Sequence, residues 1–176
     1  MQRASTIATI VSTCVLVLVL AGCGDSTPLP ADTASTSNYT PSTGTFAAVP
    51  ASSSSKASTV DTCNLDVVND KPAGSELLPH ASMATFSGWA AGNSDQVPAG
   101  VKLVLKGTQD YAVNAATGMP RPDVASANKR PGWATAGYSV KADLSAMAPG
   151  SYTPVLEFNV DGKPVQCATQ HKLTIQ

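Results

Sequence analysis

Between residues 61 and 176, apolar side chains recur at every second position in short runs, and Gly, Pro, Asn and Asp separate the runs. That period marks half-buried β-strands. Cys63–Val68 reads as a first strand, and residues 83–91 as a second with Phe86 and Trp89 on opposite faces. Val101, Leu103 and Leu105 alternate after the Pro98-Ala99-Gly100 turn. Residues 110–114 continue with Tyr111 and Val113 on one face, and residues 134–143 follow with Ala136, Tyr138, Val140 and Ala142 at period two. Residues 152–160 and 164–169 flank Asp161-Gly162, a two-residue hairpin signal of the primed type. Leu173 and Ile175 end the chain. The one place for a helical turn is 123–129, with Pro122 ahead of an Asp123 cap. Seven or eight strands without an amphipathic helix predict an all-β, antiparallel sandwich.

The pattern differs upstream. A basic start at Arg3 leads into an apolar run over residues 7–20, which is too short to span a bilayer as a helix and has the form of a secretory leader. It ends in Leu20-Ala21-Gly22-Cys23. This stretch resembles the lipobox of bacterial lipoproteins, an aliphatic residue and two small ones before an obligatory cysteine. The resemblance implies that residues 1–22 are a signal peptide that is removed, taking Cys14 with it. It also implies that Cys23 is acylated and holds the protein to the membrane of the bacterial cell envelope. Two or three acyl chains anchor stably where one does not. Gly24, rather than an acidic residue, follows Cys23, which favours the outer membrane over the inner.

Residues 23–60 are dominated by Ser, Thr, Ala and Pro, with Ser52-Ser53-Ser54-Ser55 as the extreme. Such composition buries too little apolar surface to offset its ordering entropy. A disordered tether is expected there, with Tyr39 and Phe46 solvated or loosely docked, and Ser/Thr/Pro content of this kind is open to O-glycosylation.

Charge narrows the function classes. Residues 61–176 carry nine Lys and Arg against ten Asp and Glu. There is no basic patch for nucleic acid and no charge block for lipid headgroups. After maturation, Cys63 and Cys167 are the cysteines left in an oxidising compartment. They are too far apart in sequence for a Cys-x-x-Cys redox motif and too few for a metal site, so a structural disulfide is expected.

Gly88-Trp89-Ala90, Arg121-Pro122-Asp123-Val124-Ala125, Ala136-Gly137-Tyr138 and residues 144–152 together resemble an immunoglobulin-like β-sandwich module appended to bacterial envelope proteins, including some membrane glycosyltransferases. The resemblance implies an accessory role and carries no catalytic residue across. Within residues 143–152, Leu144 and Pro149-Gly150 precede Tyr152, whose hydroxyl is placed to bond back to the crossing backbone as a tyrosine corner.

The candidate chemistry is sparse. Trp89 reads as a core tryptophan packed against the disulfide, with a sugar-stacking platform as the alternative. Trp133 follows the Pro131-Gly132 turn, where exposure is expected. With Arg121, Asp123, Asn128 and Arg130 it would form a polar and aromatic binding patch for a glycan or peptide. The competing reading is that Arg121 and Asp123 brace a long loop. His80 and His171 have no neighbour at metal-ligand spacing, no serine lies in a nucleophile elbow, and Glu76 and Glu157 do not suggest a glycosidase pair. Asp66, Asn69 and Asp70 resemble a calcium loop only superficially. The sequence therefore points to a non-catalytic lipoprotein, with no cofactor or metal, whose module contacts an envelope protein or serves structurally. The alternative is a carbohydrate-binding module for peptidoglycan or surface polysaccharide acting through the Arg121–Trp133 loop.

Overall fold

The computed structural model describes residues 38–50, 57–93 and 95–176. The leader, Cys23 and the serine run fall outside them. The alternating runs form the expected long strands: β4 (Cys63–Val68), β7 (Met83–Ala90), β8 (Gly100–Lys106), β9 (Tyr111–Met119), β10 (Gly137–Asp143), β11 (Gly150–Val160), β12 (Lys163–Ala168) and β13 (Lys172–Ile175). Short strands β1 (Ser42–Thr45), β2 (Ala47–Ala48), β3 (Ser58–Thr59), β5 (Lys71–Pro72) and β6 (Ser75–Leu78) join them. The hydrogen-bonded path runs β3-β12-β11-β8-β9-β10-β7-β4-β5.

The protein is all-β, but the sheet is mixed. β1 with β10, β3 with β12 and β6 with β13 are parallel pairs. Each joins segments distant in sequence, as parallel pairing requires, whereas hairpins give antiparallel pairs. The Asp161-Gly162 turn matches expectation, with φ of 52° and 73° between the paired Val160 and Lys163. A second two-residue turn of this kind, Asn69-Asp70 at φ 48° and 63°, links β4 to β5. Of the stretch that superficially resembles a calcium loop, Asn69 and Asp70 are thus a hairpin tip and Asp66 lies within β4.

The sheet curls into a half-barrel around one core. Inward residues of β7 and β10 (Ala84, Phe86, Ala90, Tyr138, Val140, Ala142) share it with those of β8 and β11 (Val101, Leu103, Leu105, Leu156, Phe158). β4 and β12 lie near opposite ends of the path. Their cysteines, Cys63 and Cys167, nevertheless stand at disulfide distance, with Cα atoms 6.2 Å apart across 104 positions of sequence. That contact joins the two ends of the sheet.

A different element fills the gap on the other side. β9 and β10 pair only at Met119–Gly137 and Thr117–Tyr138, then separate. Residues 39–49 enter between them as a strap. The Tyr39 hydroxyl sits where the strands part: it accepts from the Ser139 N–H at 2.7 Å and directs its own proton between the carbonyls of Ala116 and Ser139, each 3.1 Å away. β1 then runs along β10, while the Ala116 N–H donates to Ser42 Oγ at 2.9 Å. Phe46 is fully buried and meets Phe86 edge-to-face at 5.7 Å. β2 finishes on β9. Two expectations are corrected here, and one of two alternatives is decided. This part of residues 23–60 is not a disordered tether and Phe46 belongs to the core, while Tyr39 takes the docked of its two expected states. The physical reason is that the neighbouring strands supply the backbone partners and the pocket that the composition of the segment cannot supply alone.

Candidate functional site

The five residues expected to form a binding patch lie in one region: Trp133 is buried, Arg121 is half-buried, and Asp123, Asn128 and Arg130 are exposed but engaged with their neighbours. Helix α1 (Pro122–Asn128) starts at Pro122, and Arg121, not Asp123, is its N-cap residue, with no side-chain cap bond. Pro at the first helical position loses nothing, because that N–H has no helical partner anyway. Asp123 occupies the first turn instead and faces Arg121. Lys129 ends the helix in the left-handed region at φ 54°. A short 3-10 helix, Pro131–Thr135, follows where strand had been expected, so β10 begins only at Gly137.

That 3-10 turn buries Trp133. The side chain is 4% exposed and belongs to a satellite cluster with Ala91, Val124, Ala125 and Ala136. Trp89, half-buried, stacks on it at 5.9 Å with the rings tilted by 33°. Two expectations change. Trp133 is not an open stacking surface. Trp89 packs against Trp133 on the face opposite Phe86, and not against the disulfide, because a period of two sends residues 86 and 89 to opposite sides.

Arg121 is the hub of the charged groups. Its Nε and Nη2 form a fork onto the Asp123 carboxylate, with distances of 2.9 and 2.7 Å, and its Nη1 pairs with Asp66 of β4. Asp66 also accepts from Asn64 Nδ2 at 2.7 Å. Because β7 lies between β10 and β4, Arg121 ties α1 across three strands. Gly137 makes room for it: a Cβ there would lie 2.8 Å from Arg121 Cγ and 2.7 Å from the Met119 carbonyl. Hydrogen bonding from Arg121 is the main cause that holds the Asp123 carboxyl down, to about 2, and the Arg121 guanidinium is raised chiefly by the same bond. Asn128 donates its amide to the Val124 carbonyl at 2.9 Å. Arg130 lies over the Trp133 ring at 5.9 Å and makes a long, exposed contact of 3.4 Å to Asp95. The loop-bracing reading of Arg121 and Asp123 therefore matches the geometry. Asp66 was the missing partner, and no local sequence signal connects it to Arg121, 55 residues on.

A second buried group sits beneath this brace. Burial is the leading cause that pushes the Tyr138 phenol well above its usual value. Its ring lies against Gly88, where a Cβ would come within 2.1 Å of the Asn64 carbonyl and 2.8 Å of Tyr138 Oη. At the far end of the half-barrel, Tyr152 donates to the Ala148 carbonyl at 2.6 Å, which is the expected corner bond.

Other surface features stand out among the described residues. His171 lines an open cavity of about 370 Å³ beside Cys63 and Cys167. A cleft of about 420 Å³ lies on β8 and β11 near Lys102 and Glu157. Leu77 of β6 is 62% exposed and Met83 is 44% exposed. Among the described residues, no three His, Cys, Asp or Glu side chains converge as a metal site. No family model, no curated protein and no solved structure matches this chain.

Proposed function

We propose that this chain is a lipoprotein anchored through acyl chains on Cys23, with a non-catalytic β-module that docks a protein partner on the extracytoplasmic side of a bacterial envelope. The outer membrane is the proposed site, because Gly24 follows Cys23. The lipobox-like Leu20-Ala21-Gly22-Cys23 supports the anchor. The tyrosine-corner bond of Tyr152 and the cysteine pair joining β4 to β12 support an immunoglobulin-like sandwich as the finer architecture. Between Cys23 and the docked Tyr39 the chain can span at most about 50–60 Å. The module therefore works close to the lipid surface.

The observation that carries the docking half is Leu77. Among the described residues, β6 is bonded on one side only, to β13. Edge strands that avoid partners carry Lys, Pro or very short length. β5 has Lys71 and Pro72, and β3 has two residues. β6 has four residues and presents an open leucine, which suits addition of a partner strand with an apolar side chain on that face.

A photo-crosslinking residue placed at Ser75 of the full chain in living cells tests this. The expected result is one discrete protein adduct that disappears when Leu77→Lys is added. No adduct, or an adduct indifferent to Leu77→Lys, contradicts it. Incorporation of labelled palmitate tests the anchor, and label that persists in Cys23→Ala excludes Cys23 as its site.

A further inference from the structure

The ladder between β8 and β11 stops at Lys102–Glu157, although both strands continue, β8 back to Gly100 and β11 on to Val160. Each stays bonded on its other side: Val101 opposite Ala115 of β9, and Phe158 opposite Val165 of β12. The sheet therefore forks between two internal strands. The edges facing the fork carry backbone N–H and C=O groups that no ladder partner occupies, and such groups seek partners wherever they are shielded from water. The cleft of about 420 Å³ occupies this fork. Its size falls within the roughly 300–1,000 Å³ of small-molecule sites.

The register defines the chemistry of the cleft. Asn114, Lys102 and Glu157 stand opposite one another on adjacent strands and share the outer face. Two residues further along the same face are Gly100 on β8 and Asn159 on β11. Gly100 leaves the floor bare. Lys102 Nζ and the Glu157 carboxylate form a loose pair at 3.5 Å, both still open to solvent. Asn114 and Asn159 are exposed, and neither amide is used in a hydrogen bond within the described protein.

A ligand for this fork must offer donors and acceptors at close spacing. It must do so within about two residues of strand, which is too short a gap for a peptide to add as a new strand. Neighbouring hydroxyls on a sugar ring meet both conditions. Each hydroxyl donates and accepts, so side-chain amides and a carboxylate can bind adjacent pairs at two points while the ammonium donates to a third oxygen. We infer that the β8–β11 fork is a saccharide-binding site, contacting a hydroxyl-rich sugar unit through Asn114, Asn159, Glu157 and Lys102 over the bare floor at Gly100. The site is separate from the Leu77 edge and does not depend on it.

Saturation-transfer NMR tests the inference, using the full chain in a detergent without sugar headgroups and chitotetraose and maltotetraose as probes. Two variants accompany the wild type. Asn114→Ala with Asn159→Ala removes the amides. Gly100→Val fills the floor, where the nearest atom to a new Cβ is the Ala115 carbonyl oxygen at 3.1 Å. The expected result is transfer to at least one probe, about tenfold weaker binding in the double-alanine variant, and loss of binding in Gly100→Val. No transfer to either probe overturns the inference. Binding unchanged in the double-alanine variant also overturns it. Should Gly100→Val fail to fold, the double-alanine result decides alone.

Discussion

The half-barrel is closed at two places by opposite means. Between β4 and β12, near the ends of the sheet, the closing contact is the cysteine pair Cys63 and Cys167. Between β9 and β10 it is residues 39–49, which contribute one phenylalanine, one tyrosine and a few backbone bonds. The first closure acts mainly on the unfolded chain, by restricting a loop of 104 residues. The second acts on the folded state, by burying Phe46 and supplying partners to groups that the parting of β9 and β10 would strand. A composition that looks like a tether can therefore hold structural residues, provided the rest of the fold offers a slot.

The largest effect is expected at Phe46. Phe46→Ala leaves a cavity beside Phe86 and should cost about 3–5 kcal/mol, read from the urea midpoint of the full chain. A loss below about 1 kcal/mol would mean that the strap merely rests on the sheet. Cys63→Ala with Cys167→Ala should cost about 2–5 kcal/mol in the same assay, and reducing agent should lower the wild type toward the same midpoint. Tyr39→Phe keeps the ring and removes the hydroxyl that accepts from Ser139. Water can reach part of this site, so the loss should be about 1 kcal/mol, with β1 released before global unfolding.

The smallest effect is expected at the Arg121–Asp123 brace, away from both closures. Asp123 has a folded-state value lowered to about 2 from an ordinary 3.8. Its contribution is thus fully present above the ordinary value and fades as pH falls toward the folded one. Because the Asp123 side chain is 63% exposed, the contribution should stay under about 1 kcal/mol. Thermal melts between pH 5 and pH 2 should show this decline in the wild type, and a flatter decline in Asp123→Asn.

Much of the sheet could be read in the sequence, because β7 and β12 bury one face and show it as alternation, and β8 and β11 do so over part of their length, whereas a bulge between Leu65 and Val67 breaks the alternation of β4. The cysteine pairing was legible by elimination, and the Asp161-Gly162 and Tyr152 turns by their residue types. The strap was not legible. Ser42-Thr43-Gly44-Thr45 has no large apolar residue, and Gly44 is there for closeness, since a Cβ would lie 2.8 Å from Val113 Cγ2. β1 exists because β10 offers its edge, and no local preference announces that. The burial of Trp133 was not legible for a related reason. Pro131-Gly132 reads as a surface turn, but the 3-10 helix it begins swings Trp133 onto Trp89, a contact across 44 positions. Arg121 and Asp123 were legible as a brace, while its anchor on β4 was not. The β8–β11 fork is a matter of register, which single-strand patterns do not contain.

Residues 39–49 are an integral part of the fold. Amide hydrogen exchange at Ser139 and Ala116 in the full chain tests it most directly, because their N–H groups bond to Tyr39 Oη and Ser42 Oγ of the strap. Slow exchange is expected at both, with both accelerated together in Phe46→Ala while Leu103 and Leu156 of the core sheet stay protected. Exchange at open-chain rates for Ser139 and Ala116 in the wild type would contradict it.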